Sequence, residues 1–381
     1  MTSPLRIGVD ARELLGDTTG VGRYLGELMR RWTTRRDAGD RRFILYAPAA
    51  LPLPCPPGTT EQRIIGRGTG TWWEQTTLRR AVNEDRPDLF FAPAYTAPLG
   101  IPVPVAVTIH DISFIAHPEW FRPRERWRRR ILTARTAATA RIVLTVSDFS
   151  RGELESRLRV PSSRIRVIYP GVGTGASGLG ARGSGLGTGD SGLGTRGSGL
   201  GRERMVLYVG SIFNRRRVPD LIAAFARATV DMPDARLVIV GADRTWPAQD
   251  LEAVAVERGV GARVELRRYV PEAELAALYG RACVFAFLSE YEGFGLTALE
   301  ALAAGLPVVV LDTPVAREVY GAAACYVRAE DLDGAAAALR RCLLAPGSVW
   351  PETVHAPEVL ARYSWERAAA ETLLALEGIA R

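Results

Sequence analysis

The residues best suited to chemistry lie between Phe287 and Pro307, in Phe-Leu-Ser-Glu-Tyr-Glu-Gly-Phe-Gly-Leu-Thr-Ala-Leu-Glu-Ala-Leu-Ala-Ala-Gly-Leu-Pro. The apolar run ending near Leu288 reads as a buried strand. The pattern from Leu296 reads as a helix stopped by Gly305, with Pro307 opening the next strand. Gly293 and Gly295 let backbone approach a ligand closely. The amides of Phe294, Gly295, Leu296 and Thr297 are expected to be free at the helix start, a natural place for a phosphate. Glu292 precedes that helix and Glu300 lies about a turn inside it. Two carboxylates repel a diphosphate unless they address something else, and sugar and ribose hydroxyls are good donors for them. Singly, these features describe a surface loop with a capping glutamate; together they describe a ligand loop.

Other candidates are more isolated. Asp17-Thr-Thr-Gly20-Val-Gly22-Arg23-Tyr24 follows the first strand and opens a helix. Gly20 and Gly22 would give free amides on the ligand side, or mark a plain helix entry. His110 and Asp111 end a strand over 105–109, which puts both at a strand's carboxyl end; His117 and His355 have no comparable context. Asp331-Leu-Asp333 is the one D-x-D pair that could mimic a metal site. It precedes an alanine-rich helix, where acids belong as caps, so it reads as structural and no metal is expected. From Arg122 to Arg130 there are six arginines, with Trp127 among them. On a helix, Trp127, Ile131, Ala134 and Ala138 would share one face and most arginines the other. That is the pattern of a solvated face over a core stripe; the other reading is docking on anionic lipid or a polyanionic acceptor.

Strands alternating with helices must position these residues. Strand-like runs fall at 5–9, 43–47, 88–91, 105–109 and 142–146, then at 205–209, 237–240, 264–266, 283–288 and 307–311. Helical patterns fall at 21–32, 72–83, 219–229, 272–279, 296–304 and 334–344. Such alternation implies right-handed βαβ units and two parallel sheets. Ligands of such sheets bind beyond the carboxyl ends of the strands, so two facing domains make a cleft. Between the halves, a Ser-Gly-Leu-Gly unit recurs at Ser177, Ser184, Ser191 and Ser198. Glycine dominates there and leucine is too sparse to bury a face, so 171–202 reads as a flexible linker. Its G-x-G-x-x-G matches, starting at Gly173, Gly178 and Gly192, do not sit between a strand and a helix and are rejected as phosphate cradles. The expected organisation is an N-terminal Rossmann-like domain over 1–170, the linker, and a C-terminal Rossmann-like domain over 203–363. A last helix over 364–381 opens at Tyr363-Ser-Trp365.

A chain of 381 residues, 47% hydrophobic and 24% charged, suits two soluble α/β domains. No leader or membrane-spanning run is evident. The four cysteines are scattered and Cys283 reads as a buried apolar group, which fits a reduced cytoplasmic protein. The net charge of +7 comes from arginine alone: all 49 basic residues are arginine and none is lysine. Any phosphate contact must therefore use a guanidinium, and a single arginine is weak evidence of a dedicated role.

At Glu292-Gly-Phe-Gly and Glu300 the chain resembles the retaining glycosyltransferases of the GT-B fold, the large family 4 group, whose E-x7-E signature these acids match. The resemblance implies that Glu292 contacts the donor sugar and Glu300 the ribose. Tyr208-Val-Gly-Ser-Ile-Phe-Asn-Arg-Arg-Arg-Val-Pro-Asp-Leu-Ile222 resembles the family's diphosphate-gripping strand, loop and helix. Arg215 and Arg216 stand where the family usually has Arg-Lys or Glu-Lys, and two guanidiniums can bind phosphate bidentately. Arg217 reads as a solvated neighbour. Arg268-Tyr-Val resembles the segment whose backbone meets the nucleobase, which nominates Tyr269 and Val270. His110 stands where the family has a histidine touching the donor sugar, through a hydroxyl contact or its own carbonyl. The last helix is expected to cross back to the first domain. The resemblance implies metal-independent hexosyl transfer with retention, mannose being the first sugar considered and GDP-mannose or a UDP-sugar the donor. The acceptor is a glycan, lipid-linked or small-molecule hydroxyl. The enzyme would be cytoplasmic, with possible peripheral contact of the Arg122 to Arg130 stretch with anionic membrane, and no nucleic acid as partner. A nucleotide-sugar epimerase on the same fold and a non-enzymatic polyanion binder are the alternatives.

Overall fold

The computed structural model describes residues 4–16, 19–34, 40–53, 56, 58–173 and 201–380. Asp17, Thr18, Cys55 and the serine–glycine repeat lie outside the described residues. The chain forms two compact units, Met1–Gly171 with Tyr363–Arg381, and Val172–Arg362.

The first unit holds strands β1 (Leu5–Asp10), β2 (Arg41–Ala47), β3 (Thr60–Ile64), β4 (Leu89–Ala92), β5 (Val105–Thr108), β6 (Ile142–Thr145) and β7 (Ile165–Val167). They make one parallel sheet in the order β3-β2-β1-β4-β5-β6-β7. The second unit holds β8 (Met205–Val209), β9 (Arg236–Val240), β10 (Val264–Arg267), β11 (Val284–Phe287), β12 (Val308–Leu311) and β13 (Cys325–Val327). Its sheet, also parallel, runs β10-β9-β8-β11-β12-β13. Central strands such as Leu-Phe-Phe-Ala and Val-Phe-Ala-Phe are buried at every residue, as a sheet covered on both faces requires. In each unit the strand order reverses once, between β1 and β4 and between β8 and β11. The crevice for a ligand lies beyond the carboxyl ends at such a reversal.

The first unit is closed by the chain's last helix. Ser364 caps it by accepting from the Arg367 amide, and over Trp365–Ile379 it buries Trp365, Ala368, Ala369, Thr372, Leu373 and Leu376. These recur at three- and four-residue steps, one face of a helix. Across from them Trp32, on the helix Gly20–Thr34, donates its indole N–H to the Ala369 carbonyl at 2.8 Å and stacks on Phe43. Arg41 and Glu377 add an ion pair at 2.5 Å.

Two expectations need correction, and three strands were not anticipated. The helical pattern at 72–83 is interrupted by a π turn, Glu74–Leu78. The strands β3, β7 and β13 carry polar or half-exposed residues and so lack the apolar run that marks the others. On the helix Pro123–Thr139, the buried side chains are Thr133, Thr136 and Ala137, not the Trp127 stripe. Trp127 is 68% exposed, among exposed arginines, and Ala138 is exposed as well. Small residues let this helix lie close to its neighbours, and the indole is left in solvent. Among the described residues no helix is long and apolar enough to cross a membrane.

Several arginines are spent on helix ends. Arg164 reaches the carbonyls of Ala138 and Ala140, both at 3.0 Å, and Arg263 that of Met232 at 2.9 Å. Arg202 bonds those of Ala282 at 2.7 Å, Ala304 at 3.0 Å and Gly305 at 3.2 Å. Carbonyls left over at a helix C-terminus favour a cation, so these guanidiniums serve the fold.

Candidate active site

In the second unit the loops after β8 and β11 meet at the reversal. The Glu290 amide donates to the Arg215 carbonyl at 2.8 Å, tying the two loops together. Arg216 crosses beneath them: its Nε donates to Glu292 Oε1 at 2.9 Å and its Nη1 to the Ser211 carbonyl at 2.8 Å. Its guanidinium also lies over the Phe287 ring, 4.9 Å from the centroid. This path needs Gly210, whose backbone sits at φ 143°; a β-carbon there would lie 2.3 Å from Arg216 Nη1. Burial alone would lower the pKa of Arg216, but the Glu292 carboxylate more than offsets it and the guanidinium stays charged. Ser289 donates its hydroxyl to Glu292 Oε1 at 2.8 Å.

Arg215 is only 7% exposed and packs over Phe213, 4.4 Å from the ring centroid. Its Nε is 3.8 Å from Glu292 Oε1, too far for a hydrogen bond, and this buried N–H has no partner among the described residues. An unsatisfied buried donor costs about 1–3 kcal/mol. Two guanidiniums thus share one carboxylate, and the cluster carries an excess positive charge with a donor to spare. That suits an anion. Arg217 is not a free solvated residue: in the left-handed conformation, it pairs with Asp220 and Glu290 and locks the turn.

The strand–loop–helix carrying Gly293, Phe294, Gly295, Leu296 and Thr297 follows β11, and the helix runs Leu296–Ala303. Gly295 caps it at φ 94° with no side chain to cover the first-turn amides. Only glycine fits, since a β-carbon would lie 2.0 Å from Tyr320 Oη, which donates to the Gly295 carbonyl at 2.9 Å. The helix ends in a Schellman turn: Leu306 N bonds the Ala301 carbonyl and Gly305 N the Leu302 carbonyl, both at 2.9 Å. Phe294 is buried. Glu300 is 9% exposed and accepts from Tyr279 Oη at 3.4 Å. Tyr269 and Val270 follow β10, two strands from β8; Tyr269 is exposed and Val270 buried. Asp331 accepts from the Gly334 amide at 2.7 Å as a helix cap, and Asp333 pairs with Arg227.

In the first unit the helix Gly20–Thr34 starts beyond β1. The amide of Gly22 is not free as expected: it donates to Thr19 Oγ1 at 3.0 Å. A β-carbon at Gly22 would lie 2.4 Å from the Glu13 carbonyl, so close packing explains this glycine; Gly20 is exposed. His110 follows β5 and is partly buried. Its Nε2 is 2.9 Å from the Pro93 carbonyl, and its own carbonyl accepts from Ser150 Oγ at 3.0 Å. Burial lowers its pKa, against the Pro93 contact and Asp111.

A second cluster of charges, without a local sequence signature, sits beside the β1/β4 reversal. Arg12 pairs with buried Asp10 at 3.0 Å and with buried Glu74. It also donates to the Thr69 carbonyl at 3.2 Å, while Glu74 accepts from Thr96 Oγ1 at 2.7 Å and Gln75 Nε2 at 2.6 Å. Burial pushes the Asp10 carboxyl up to about 6; Arg12 opposes the rise and Glu74 adds to it. Residues missed from sequence, then, are Ser289, Tyr279 and Tyr320 in the second unit and Asp10, Arg12, Glu74, Tyr95 and Ser150 in the first. Most are defined by a partner far away in sequence, although Ser289 meets Glu292 three residues on.

Two Rossmann-like units with parallel sheets, the second with an arginine–carboxylate cluster at its strand reversal, have the architecture of the GT-B fold. Residues 18–175 match the family described as Glycosyltransferase Family 4, and residues 197–348 that described as Glycosyl transferases group 1. The O-antigen chain mannosyltransferase B of Escherichia coli is 26% identical, the match covering 93% of this chain and 95% of that one. A GDP-mannose:cellobiosyl-diphosphopolyprenol alpha-mannosyltransferase of Xanthomonas campestris is 28% identical over 55% of this chain and 50% of its own length. Among solved structures, the lipopolysaccharide-biosynthesis glycosyltransferase WaaG superposes with a TM-score of 0.73 at 16% identity, covering 98% of this chain and all of that one. This chain belongs to the family 4 glycosyltransferases.

Proposed function

We propose that the protein is a retaining, metal-independent hexosyltransferase that moves mannose from GDP-mannose to a hydroxyl of a glycan or lipid-linked acceptor. One observation carries the reading: two guanidiniums at the β8/β11 reversal share a single carboxylate, and buried Arg215 keeps an unpaired N–H. A donor diphosphate supplies the missing acceptors. Arg215, Arg216 and the uncapped amides of the helix at Leu296 then carry the charge that develops on the leaving phosphate, the work a divalent cation does elsewhere. Glu292, already oriented by Arg216 and Ser289, addresses sugar hydroxyls; Glu300 addresses the ribose, and the backbone at Tyr269 and Val270 the base. The C1–O bond loosens toward an oxocarbenium-like state. The acceptor hydroxyl attacks from the leaving-group face, its proton passes to the leaving phosphate, and configuration is retained. The mannosyl relatives support the choice of sugar.

The test is a thermal-shift screen across nucleotide sugars with and without EDTA, followed by NMR of the product anomer. GDP-mannose should give the largest shift and an α-linked product in both buffers. An inverted product, or activity lost in EDTA and restored by magnesium, overturns the mechanism. Consumption of donor without acceptor would make the protein an epimerase. The exposed Trp127 among arginines favours a peripheral contact with the cytoplasmic face of an anionic membrane. Sedimentation with phosphatidylglycerol vesicles, lost on Trp127→Ala with Arg128→Glu and Arg130→Glu, checks it.

A further inference from the structure

We infer that Arg217 and Glu290 are a pair of positioning residues: they hold the loop after β8 in register with the loop after β11, and so preset Arg215, Arg216 and Glu292 for a diphosphate. The inference rests on the reading of that cluster as the donor site, and it adds what keeps the two loops aligned.

Three consecutive residues of the first loop are each tied to the second. The Arg215 carbonyl accepts from the Glu290 amide at 2.8 Å. Arg216 Nε donates to Glu292 Oε1 at 2.9 Å, and Arg217 Nη1 to Glu290 Oε1 at 2.5 Å. Glu290 is therefore gripped twice, at its amide and at its carboxylate, by the residues on either side of Arg216. A slip of one loop against the other would displace the Arg216 guanidinium from Glu292, and the double grip on Glu290 opposes that slip. Asp220 steadies Arg217 from the other side. Its carboxylate accepts from Arg217 Nε, and its amide donates to the Arg217 carbonyl at 3.0 Å.

Stability does not account for this pair. Arg217 sits at φ 48° and ψ 41°, the left-handed region that glycine or asparagine fills with least strain. The side chains of Arg217 and Glu290 are 22% and 34% exposed, and an ion pair so open to solvent stabilises less than the left-handed backbone costs. An asparagine would make the same turn more cheaply and could not reach Glu290. The side chain, rather than the turn, explains the arginine. Charge does not account for the pair either. Asp220 and Glu290 set two carboxylates around one guanidinium, next to a cluster whose spare charge is positive. For the capture of an anion alone Glu290 is unfavourable, so its reach across to Arg217 is what remains to explain it.

The test uses the full-length protein and two independent readouts, hydrogen exchange without ligand and calorimetric binding of GDP and UDP. Without ligand, the amide of residue 290 should lose about ten-fold in protection in Glu290→Ala and in Arg217→Asn. Arg217→Lys keeps a cation within reach and should stay near wild type in both readouts. Glu290→Ala and Arg217→Asn should each weaken binding of the tighter nucleotide about ten-fold, and the double variant no further, because both break one contact. Glu290→Ala decides between position and charge: it makes the site more positive, so charge alone predicts tighter binding. Stability should not follow affinity. Arg217→Asn suits the left-handed turn and should melt no lower than Arg217→Lys while binding nucleotide more weakly. Tighter binding in Glu290→Ala, additive losses in the double variant, or unchanged protection of the residue 290 amide overturns the inference. If protection responds as stated but the wild type binds neither nucleotide, the donor-site reading fails and the coupling of the loops stands. If nucleotide binds equally to every variant, the donor site stands and this inference fails.

Discussion

Both sheets reverse strand order after their first strand, and near both reversals the chain has gathered arginine and carboxylate in opposite proportion. Next to β8 and β11, Arg215 and Arg216 share Glu292, and one buried N–H is left without an acceptor. Near β1 and β4, Asp10 and Glu74 share Arg12, and the remaining valences are taken by Thr69, Thr96 and Gln75. A surplus guanidinium waits for an anion. A surplus carboxylate inside the protein instead takes up a proton, as the raised Asp10 pKa records. The comparison teaches that the stoichiometry of charge, rather than the place in the fold, separates a ligand site from a structural knot.

The sharpest way to break this contrast is to remove a guanidinium from each cluster. Arg216→Ala should reduce transfer about 10³-fold, in line with the loss of one preorganised donor. It should also destabilise the second unit, because Glu292 loses its counter-ion; adding Glu292→Ala should restore the urea midpoint without restoring turnover. Near-normal transfer in the single variant would end the site assignment. Arg12→Ala should cost about 3–5 kcal/mol in urea unfolding, since two buried carboxylates lose their partner. Arg215→Ala, which deletes an unsatisfied donor, should leave stability nearly unchanged. Equal losses in the two would erase the distinction.

The next effect is one of pH. The folded-state pKa of Asp10, about 6, lies above the unfolded value of 3.8, so the folded protein holds a proton that the unfolded chain releases. Stability from this group is therefore full below about pH 4 and lost as pH climbs through about 6, by roughly 3 kcal/mol. Urea midpoints at pH 4 and pH 7, compared between wild type and Asp10→Asn, should differ in slope in that sense. Parallel behaviour of the two would remove the proton from the argument.

Smaller effects refine the second site. Gly295→Ala should cost about 1–2 kcal/mol for its left-handed backbone and weaken the donor-induced thermal shift. Adding Tyr320→Phe, which removes the atom nearest the new methyl group, should recover part of that shift. Asp331→Ala should cost about 1 kcal/mol as a lost cap and leave turnover unaltered; a large loss of turnover would return the D-x-D pair to consideration as a metal site.

Much of this was legible in the chain, for physical reasons that also mark the limits. The central parallel strands must be apolar on both faces, so β4, β8, β11 and β12 stand out, while the edge strand β3 spells Thr-Glu-Gln-Arg-Ile and does not. Glu292 and the glycines after it were readable because the ligand loop is contiguous. The pairing of Glu292 with Arg216, 76 residues away, left no local trace, nor did Tyr320 beneath Gly295. On the helix Pro123–Thr139 the periodicity misled because threonine counts as polar in such patterns. Thr136 is buried with its hydroxyl on the Ala97 amide, and the larger Trp127 stays outside.

Arg202 has a mechanical meaning. It stands three residues before β8 and grips carbonyls at the ends of two helices. Beside it Glu203 is fastened to Arg281 through both its amide and its carboxylate. A pull arriving along the chain from residue 201 would load these bonds together before it could peel β8 from β9 and β11. The arginine loop at the far end of β8 is thereby shielded from a pull applied at residue 201.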